Sequence, residues 1–151
     1  MVIKGSERIY NWENVEGGVW KAVIPNGMFG DYNPYKEVLG GDGFIAPEGD
    51  ILHTGEVYLN GKSFYEAKSL DEVKNPVMRT EGVNPPWTKH AEPLLHPEDS
   101  VYQWYCESDE ENTTIYANFQ GADPNRELTE INVRKCCFYP AKTGRNYITV
   151  S

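Results

Sequence analysis

The sequence predicts an all-β protein, an antiparallel β-sandwich-like domain. Three observations indicate this class. Apolar residues recur with a period of two rather than 3.6, residues that favour turns separate these short runs, and patterns typical of helices are scarce. Many short strands separated by turns are characteristic of sandwiches. Because no linker divides the chain, we expect a single domain over residues 1–151.

The first half of the chain contains a clear strand and a clear hairpin. Residues 19–24 alternate between two faces, and the turn residues Gly17-Gly18 and Pro25-Asn-Gly27 bound them. Residues 57–59 and 62–64 flank Asn60-Gly61, the dipeptide that most strongly favours a two-residue hairpin turn. We therefore expect one half-buried strand followed by an antiparallel pair.

The second half continues the same pattern. Residues 101–107 and 113–119 predict another hairpin, joined by the polar loop 108–112. Residues 130–134 and 146–150 predict two further strands.

Other structure between the strands is short. Ser69, followed by acidic residues, predicts a single capped helix over residues 69–74. Residues 34–41 are compatible with one helical turn before Asp42. Residues 76–99 contain five prolines and predict a long irregular loop, a kind of segment that is often functional.

Composition excludes several classes of partner. The net charge is −9 and the isoelectric point is about 4.8, which disfavours nucleic acid because binding to phosphates requires clustered Lys and Arg. No apolar run is long enough to cross a membrane, and the first residues do not form a signal peptide. The sequence thus predicts neither a nucleic-acid partner nor a membrane partner.

The three cysteines predict no metal site and no cofactor. Cys136 and Cys137 are neighbours, and adjacent side chains of a strand point to opposite faces, so these two do not pair easily. One of them could pair with Cys106 and leave a third thiol over. The simpler interpretation is three reduced, mostly buried thiols in a cytoplasmic protein. Metal-ligand spacing is absent among the cysteines and the histidines His53, His90 and His96.

The residues that identify a family are spread along nearly the whole chain. The most informative block is Thr113-Thr-Ile-Tyr-Ala-Asn-Phe-Gln-Gly-Ala-Asp-Pro-Asn125. Together with the other blocks, it resembles the domain inserted into right-handed parallel β-helix glycosidases, above all the family 120 β-xylosidases. The other blocks, in family order, are Val2-Ile-Lys-Gly-Ser-Glu-Arg-Ile9, Gly30-Asp-Tyr-Asn-Pro-Tyr-Lys36, Val57-Tyr-Leu-Asn-Gly61, Ser63-Phe-Tyr-Glu66, Cys137-Phe-Tyr-Pro140 and Tyr147-Ile-Thr-Val150.

The resemblance implies an accessory role. In those enzymes the nucleophile and the acid/base lie on the β-helix, so no catalytic residue is carried over to this chain. The resemblance implies as partners a parent β-helix domain, a xylo-oligosaccharide or related glycoside, and a possible homo-oligomer. It also implies that residues 2–5 and 147–150 are short terminal strands left from a parallel β-helix. We expect residues 2–3 and 148–150 to lie side by side and, as exposed edges, to favour self-association.

The sequence itself contains no recognisable catalytic pair. Glycosidases need two facing carboxyl groups roughly 5–9.5 Å apart, and no pattern predicts such convergence. Residues 107–111 are rich in Asp and Glu, but a charged run in a hairpin loop usually forms a solvated tip. No nucleophile elbow and no phosphate-binding glycine loop is present.

The candidate substrate-binding residues are Asp42, Phe44 and Trp87. Related β-xylosidases often read Gly-Asp-Trp where this sequence reads Gly41-Asp42-Gly43, and the resemblance implies that this loop reaches toward a sugar. Phe44 follows the missing tryptophan and is the nearest aromatic replacement, although a core position is the simpler interpretation. Trp87 follows two prolines in the long loop.

A carbohydrate-binding module is the alternative hypothesis. It requires an exposed row of aromatic side chains on the sandwich, whereas aromatic residues in strands are more often buried. Trp104 and Tyr105 alternate within one strand, so one of them is expected to face the core. The further candidates for such a row are Trp12, Trp20, Trp87, Tyr102 and Tyr116.

Overall fold

A computed structural model describes residues 3–42, 50–84, 89–137, 142 and 144. Within these residues the fold is almost entirely β. The described residues contain nine strands and one short α-helix. The strands are β1 (Ser6–Arg8), β2 (Glu13–Glu16), β3 (Val19–Pro25), β4 (Val57–Leu59), β5 (Lys62–Ser63), β6 (Tyr65–Glu66), β7 (Gln103–Ser108), β8 (Asn112–Asn118) and β9 (Thr129–Asn132). The helix α1 is Leu70–Lys74, and 3-10 turns cover Asn26–Phe29 and Pro97–Val101.

The strands form two sheets that enclose the core. One sheet has the order β1-β9-β4-β5, and the other has the order β2-β3-β8-β7-β6. The main cluster of buried side chains draws on both sheets, as the positions of Ala22, Ile115, Val57 and Ile131 show. The architecture is therefore the predicted all-β sandwich-like domain.

The hairpin at Asn60-Gly61 forms as predicted. Both residues adopt positive φ angles, 53° and 84°, which a two-residue turn with the right twist requires. Across it, Tyr58 pairs with Ser63 and Leu59 with Lys62. The second predicted hairpin is also confirmed, because β7 pairs antiparallel with β8 from Trp104–Ala117 to Ser108–Thr113.

One strand pair departs from the antiparallel pattern. Strand β6 runs parallel to β7, with Tyr65 opposite Gln103 and Glu66 opposite Trp104. A parallel pair needs a long crossover, and α1 and the proline-rich loop supply it. The helix packs on the outer face of the five-stranded sheet, where Val73 joins Val19 and Ala67 in a second buried cluster.

The cysteine prediction is partly wrong. Cys106 is half-buried in β7, but Cys136 and Cys137 are exposed, and all three are free thiols. The physical reason is that β9 ends at Asn132, so both neighbours lie beyond the sheet instead of within a buried strand.

Two other predictions concern the ends of the chain and the membrane. The expected strand over residues 146–150, and its pairing with residues 2–3, fall almost wholly outside the described residues; Ile3 is described and lies in no strand. No helix in the described part of the chain has the length and apolar character needed to span a bilayer.

Candidate functional site

A cavity lies where the segment leading into β4 meets β6 and the start of β7. Its volume is about 630 Å³, which is within the usual range for small-molecule sites. Buried Phe64 and Trp104 contribute apolar surface, and the polar side chains of Glu56, Glu66 and Gln103 also line it. Of the three substrate-binding residues predicted from the sequence, only Asp42 is among the described residues, and it does not line this cavity.

Three hydrogen bonds hold the backbone around Glu56 in place. Its N–H donates to Asn132 Oδ1 at 2.6 Å, and its carbonyl accepts from Tyr35 Oη at 2.7 Å. Asn132 Nδ2 also donates to the Thr54 carbonyl at 2.7 Å. Burial raises the pKa of Tyr35 well above its ordinary value, so this phenol stays a donor. These bonds fix the point at which the Glu56 side chain enters the cavity.

The carboxyl group of Glu56 has an unusual environment. Its Oε2 atom is buried and has no hydrogen-bond partner among the described residues. Burial, assisted by the negative charge of Glu66, raises the pKa of Glu56 from 4.5 to about 7. A carboxyl with such a pKa changes its protonation near neutral pH and can either accept or donate a hydrogen bond.

Glu66 is fully engaged by one residue. Its Oε2 accepts from the backbone N–H of His53 at 2.7 Å, and its Oε1 lies 2.6 Å from His53 Nδ1. Because both oxygens are held, Glu66 acts as a structural anchor for the segment before β4 and is poorly placed to attack a substrate.

Gln103 supplies a second unpartnered acceptor. Its side chain is 8% exposed, and its Nε2 donates to the Ser100 carbonyl at 3.1 Å. Its Oε1 is buried without a hydrogen-bond partner among the described residues. Glu56 and Gln103 thus both line the cavity, although these two oxygens are themselves closed off from solvent.

The structure describes only one of the predicted substrate-binding residues, so their arrangement stays a prediction. Asp42 is exposed and outside the cavity, whereas Gly43, Phe44 and Trp87 lie outside the described residues. The acidic run 107–111 is exposed, and within it Asp109 Oδ1 accepts from the N–H groups of Glu111 and Asn112, which lowers the pKa of Asp109. The structure thus places this run as a solvated loop tip.

The described tryptophans pack against the core. Trp12 and Trp104 are 3% and 1% exposed, so Trp104 is the member of the Trp104–Tyr105 pair that faces the core, as alternation predicts. Trp20 and Tyr102 are half-buried against the same core. The described residues contain no group of three His, Cys, Asp or Glu side chains placed to hold a metal ion.

Sequence reasoning missed Glu56 and Gln103. Each is a single polar residue beside an apolar strand, and no spacing pattern marks either one. The only local signal is that Glu56 directly precedes the strand Val57–Leu59, and Gln103 begins the strand that contains Trp104.

Comparisons with known proteins identify the family. Residues 9–131 match the family described as "Glycoside hydrolase 120, insertion domain". The structure is similar to one described as "The complex structure of XylC with xylose", with a TM-score of 0.86 and 54% sequence identity. That match covers 94% of this chain and 22% of the XylC chain. A search of curated proteins found no match. The chain belongs to the family of glycoside hydrolase 120 insertion domains.

Proposed function

We propose that the chain is a non-catalytic accessory domain of a larger β-helix glycosidase of the β-xylosidase type. It shapes the substrate pocket of that enzyme or forms an interface between its subunits. The similarity to XylC carries the proposal, because it covers 94% of this chain but only 22% of that one. XylC was solved with xylose, which supports a xylo-oligosaccharide or related glycoside as the substrate of the larger enzyme.

The proposal also covers the partners of the chain, its division into domains and its cellular compartment. The partners are the parent β-helix domain and, through an interface, a second copy of the enzyme. The shared core of the two sheets supports one domain over residues 1–151. Free thiols at Cys106, Cys136 and Cys137 favour a reducing compartment, so the proposal places the enzyme in the cytoplasm.

The state of the cavity carboxyls supports a non-catalytic role. A glycosidase needs two available carboxyl groups, one as an acid and one as a nucleophile or base. Glu56 has the raised pKa of an acid, but both oxygens of its neighbour Glu66 are held by His53. The pair therefore lacks a free second carboxylate, and the other two carboxyls that line the cavity, Asp50 and Glu72, are bonded to Lys68.

A carbohydrate-binding module is the second candidate. Tyr105 and Tyr116 favour it, since they are paired across β7 and β8 on the face of the sheet that points away from the main core. Both are half-buried, but α1 covers part of this face and Tyr105 packs against the cluster that contains Val73. Against it, Trp12 and Trp104 are buried and cannot form a flat sugar platform.

Hydrolysis of a chromogenic xyloside tests the accessory role. The 151-residue chain should show no turnover, whereas a longer enzyme that contains both this domain and a β-helix should be active. Turnover by the chain that disappears in Glu56→Gln but persists in the exposed-site control Glu110→Gln would overturn the proposal, because it would place the chemistry in this cavity.

Replacing the domain by a short linker in the longer enzyme separates the two accessory roles. A role in the pocket predicts a higher KM with unchanged oligomeric state. A role at the interface predicts a change in sedimentation coefficient. If neither quantity changes in a folded protein, the domain has no accessory role of either kind.

A further inference from the structure

We propose that an apolar rim around the cavity packs against the rest of the larger enzyme, within the same polypeptide, and that Arg79 there receives a carboxylate. The rim consists of Leu39, Ile51, Val77 and Val83. The inference rests on the proposed function, because it requires a larger enzyme. It names the face and the partner surface that the accessory role leaves open.

The rim is a cluster of exposed apolar side chains around one concave surface. Leu39, Ile51, Val77 and Val83 all line the cavity, and they are 38%, 66%, 75% and 40% exposed. Exposed apolar surface is unfavourable in water, and a contiguous patch of it beside a groove is typical of a face that another protein surface covers.

Backbone hydrogen bonds hold the segments that carry the rim. The Leu39 N–H donates to the Leu52 carbonyl at 2.7 Å, which joins the two sides of one ribbon. Across the cavity, the Gly82 N–H donates to the Glu92 carbonyl at 2.9 Å, next to Val83. Because the backbone is already ordered, a partner that covers the rim loses little free energy to ordering it.

The rim begins at the end of the sandwich at which the flanking chain leaves it. The two arms that flank the matched insertion domain lead toward the rest of the larger enzyme, and the Val133 N–H joins them by donating to the Gly5 carbonyl at 2.9 Å. Beside this bond, Asn132 Nδ2 donates at 2.7 Å to the carbonyl of Thr54, three residues after Ile51. The rest of the same polypeptide is therefore the partner nearest to the rim.

Arg79 defines the charge of the partner surface. Its side chain lines the cavity, and its guanidinium is stacked over the Tyr65 ring at 4.9 Å from Cζ to the ring centroid. Its backbone N–H donates at 2.8 Å to Oγ of buried Ser100. It forms no ion pair with a described residue. A stacked, planar guanidinium is suited to bind a carboxylate through two parallel N–H donors. The partner surface is thus apolar and presents an Asp or Glu to Arg79.

Photo-cross-linking in a longer enzyme that contains this domain identifies what covers the rim. Val77→p-benzoylphenylalanine should form a cross-link to a peptide outside residues 1–151, in a product that runs as a single chain in denaturing electrophoresis. Val23→p-benzoylphenylalanine, at another exposed position, is the control and should form no such link. A two-chain product would assign the rim to a second copy and overturn the proposal. Absence of a cross-link beyond residues 1–151 would overturn it as well.

Hydrogen exchange tests the same surface without a new side chain. Residues 50–54 and 77–83 should exchange more slowly in the longer enzyme than in the 151-residue chain, by about tenfold or more. Residues 13–16, at the opposite edge of the five-stranded sheet from β6, should exchange equally in both. Equal exchange at residues 77–83 would contradict the proposal.

Arg79→Gln tests the carboxylate. It should raise the exchange rate at residues 77–83 of the longer enzyme by about tenfold, whereas the side chain of Arg126, 86% exposed, provides the control Arg126→Gln. An equal effect of both variants would refute the carboxylate contact. If removing the domain changes KM or sedimentation while the rim is uncovered, this inference fails and the accessory role stands.

Discussion

At the scale of single residues, Glu56 makes stability depend on pH. Burial and the charge of Glu66 raise its pKa from 4.5 to about 7, so the folded state binds this proton more tightly than the unfolded state does. The stabilisation that comes from this tighter proton binding by Glu56 is complete below about pH 4.5 and is lost as the pH rises through about 7. The deprotonated carboxylate in the cavity is therefore a cost above neutral pH.

We predict that Glu56→Gln stabilises the protein at pH 8 and has little effect at pH 4.5. The gain at pH 8 is on the order of 1–2 kcal/mol, reduced from the full shift because the side chain is only partly buried. Urea denaturation at both pH values measures it.

The comparison with wild type isolates Glu56 from other acids. Glu130 has a pKa lowered mainly by its bond from Lys4, so its contribution is lost as the pH falls, the opposite direction. That contribution is common to both proteins and cancels in the difference. The exposed substitution Glu110→Gln should leave the profile unchanged, and an equal effect of Glu56→Gln at both pH values would contradict the prediction.

Gly55 is the residue at which added volume should be least tolerated. A Cβ at this position would lie 2.5 Å from Tyr35 Cδ1 and 3.0 Å from Trp104 Cη2. Tyr35 is 2% exposed and its hydroxyl is bonded to the Glu56 carbonyl, so the ring cannot easily move. Gly55→Ala should lower the free energy of unfolding by about 1–3 kcal/mol.

Chemical denaturation measures the effect of Gly55→Ala, and Gly27→Ala is its matched control. A Cβ at Gly27 would meet nothing within 4 Å. If both substitutions cost the same, overpacking against Tyr35 is not the cause of the loss.

At the scale of elements, α1 depends on its first residue. Ser69 Oγ accepts from the Glu72 N–H at 3.3 Å, and Glu72 Oε2 accepts from the Lys68 N–H at 3.0 Å. Helices of five residues are not stable alone, so α1 depends on this cap and on buried Val73. Ser69→Ala should cost about 1 kcal/mol in unfolding free energy. Exposed Ser63→Ala, at the end of β5, should cost much less in the same denaturation assay.

Local chemistry explains which elements the sequence predicts correctly. Asn60-Gly61 forms its turn because these two residues tolerate positive φ, and Ser69 caps its helix through a bond to a near neighbour. Strands β1, β2 and β6 are missing from the prediction because they are short and contain no alternating apolar residues. Strand β2 is exposed along its length and is held by backbone pairing with β3. Its residues need not be apolar, so the alternation of apolar residues does not predict it.

The candidate site could not be predicted for a different reason. The raised pKa of Glu56 comes from burial and from Glu66, and its backbone is fixed by Asn132, far along the chain. Gln103 Nε2 donates to the Ser100 carbonyl, whereas tertiary packing buries its Oε1 without a partner among the described residues. Such properties depend on tertiary contacts, whereas turns and caps depend on neighbours in sequence.

At the scale of the whole molecule, the two sheets share one core. Ile115 in the five-stranded sheet and Ile131 in the four-stranded sheet are both 0% exposed and belong to the same cluster. Trp12 and Phe119 pack edge to face within it at 5.1 Å between ring centroids. Neither sheet can keep its inner face out of water without the other, so we expect them to unfold together.

Urea unfolding should therefore be a single two-state transition, with coincident curves from tryptophan fluorescence and far-ultraviolet circular dichroism. Ile115→Val and Ile131→Val each remove one buried methylene and should cost roughly 0.5–1.5 kcal/mol, lowering the midpoint for both probes equally. Val23→Ala, at a 52% exposed position, should shift it less. Curves that separate, or a variant that shifts one probe alone, would mean that the sheets unfold independently and that the chain is not one cooperative domain.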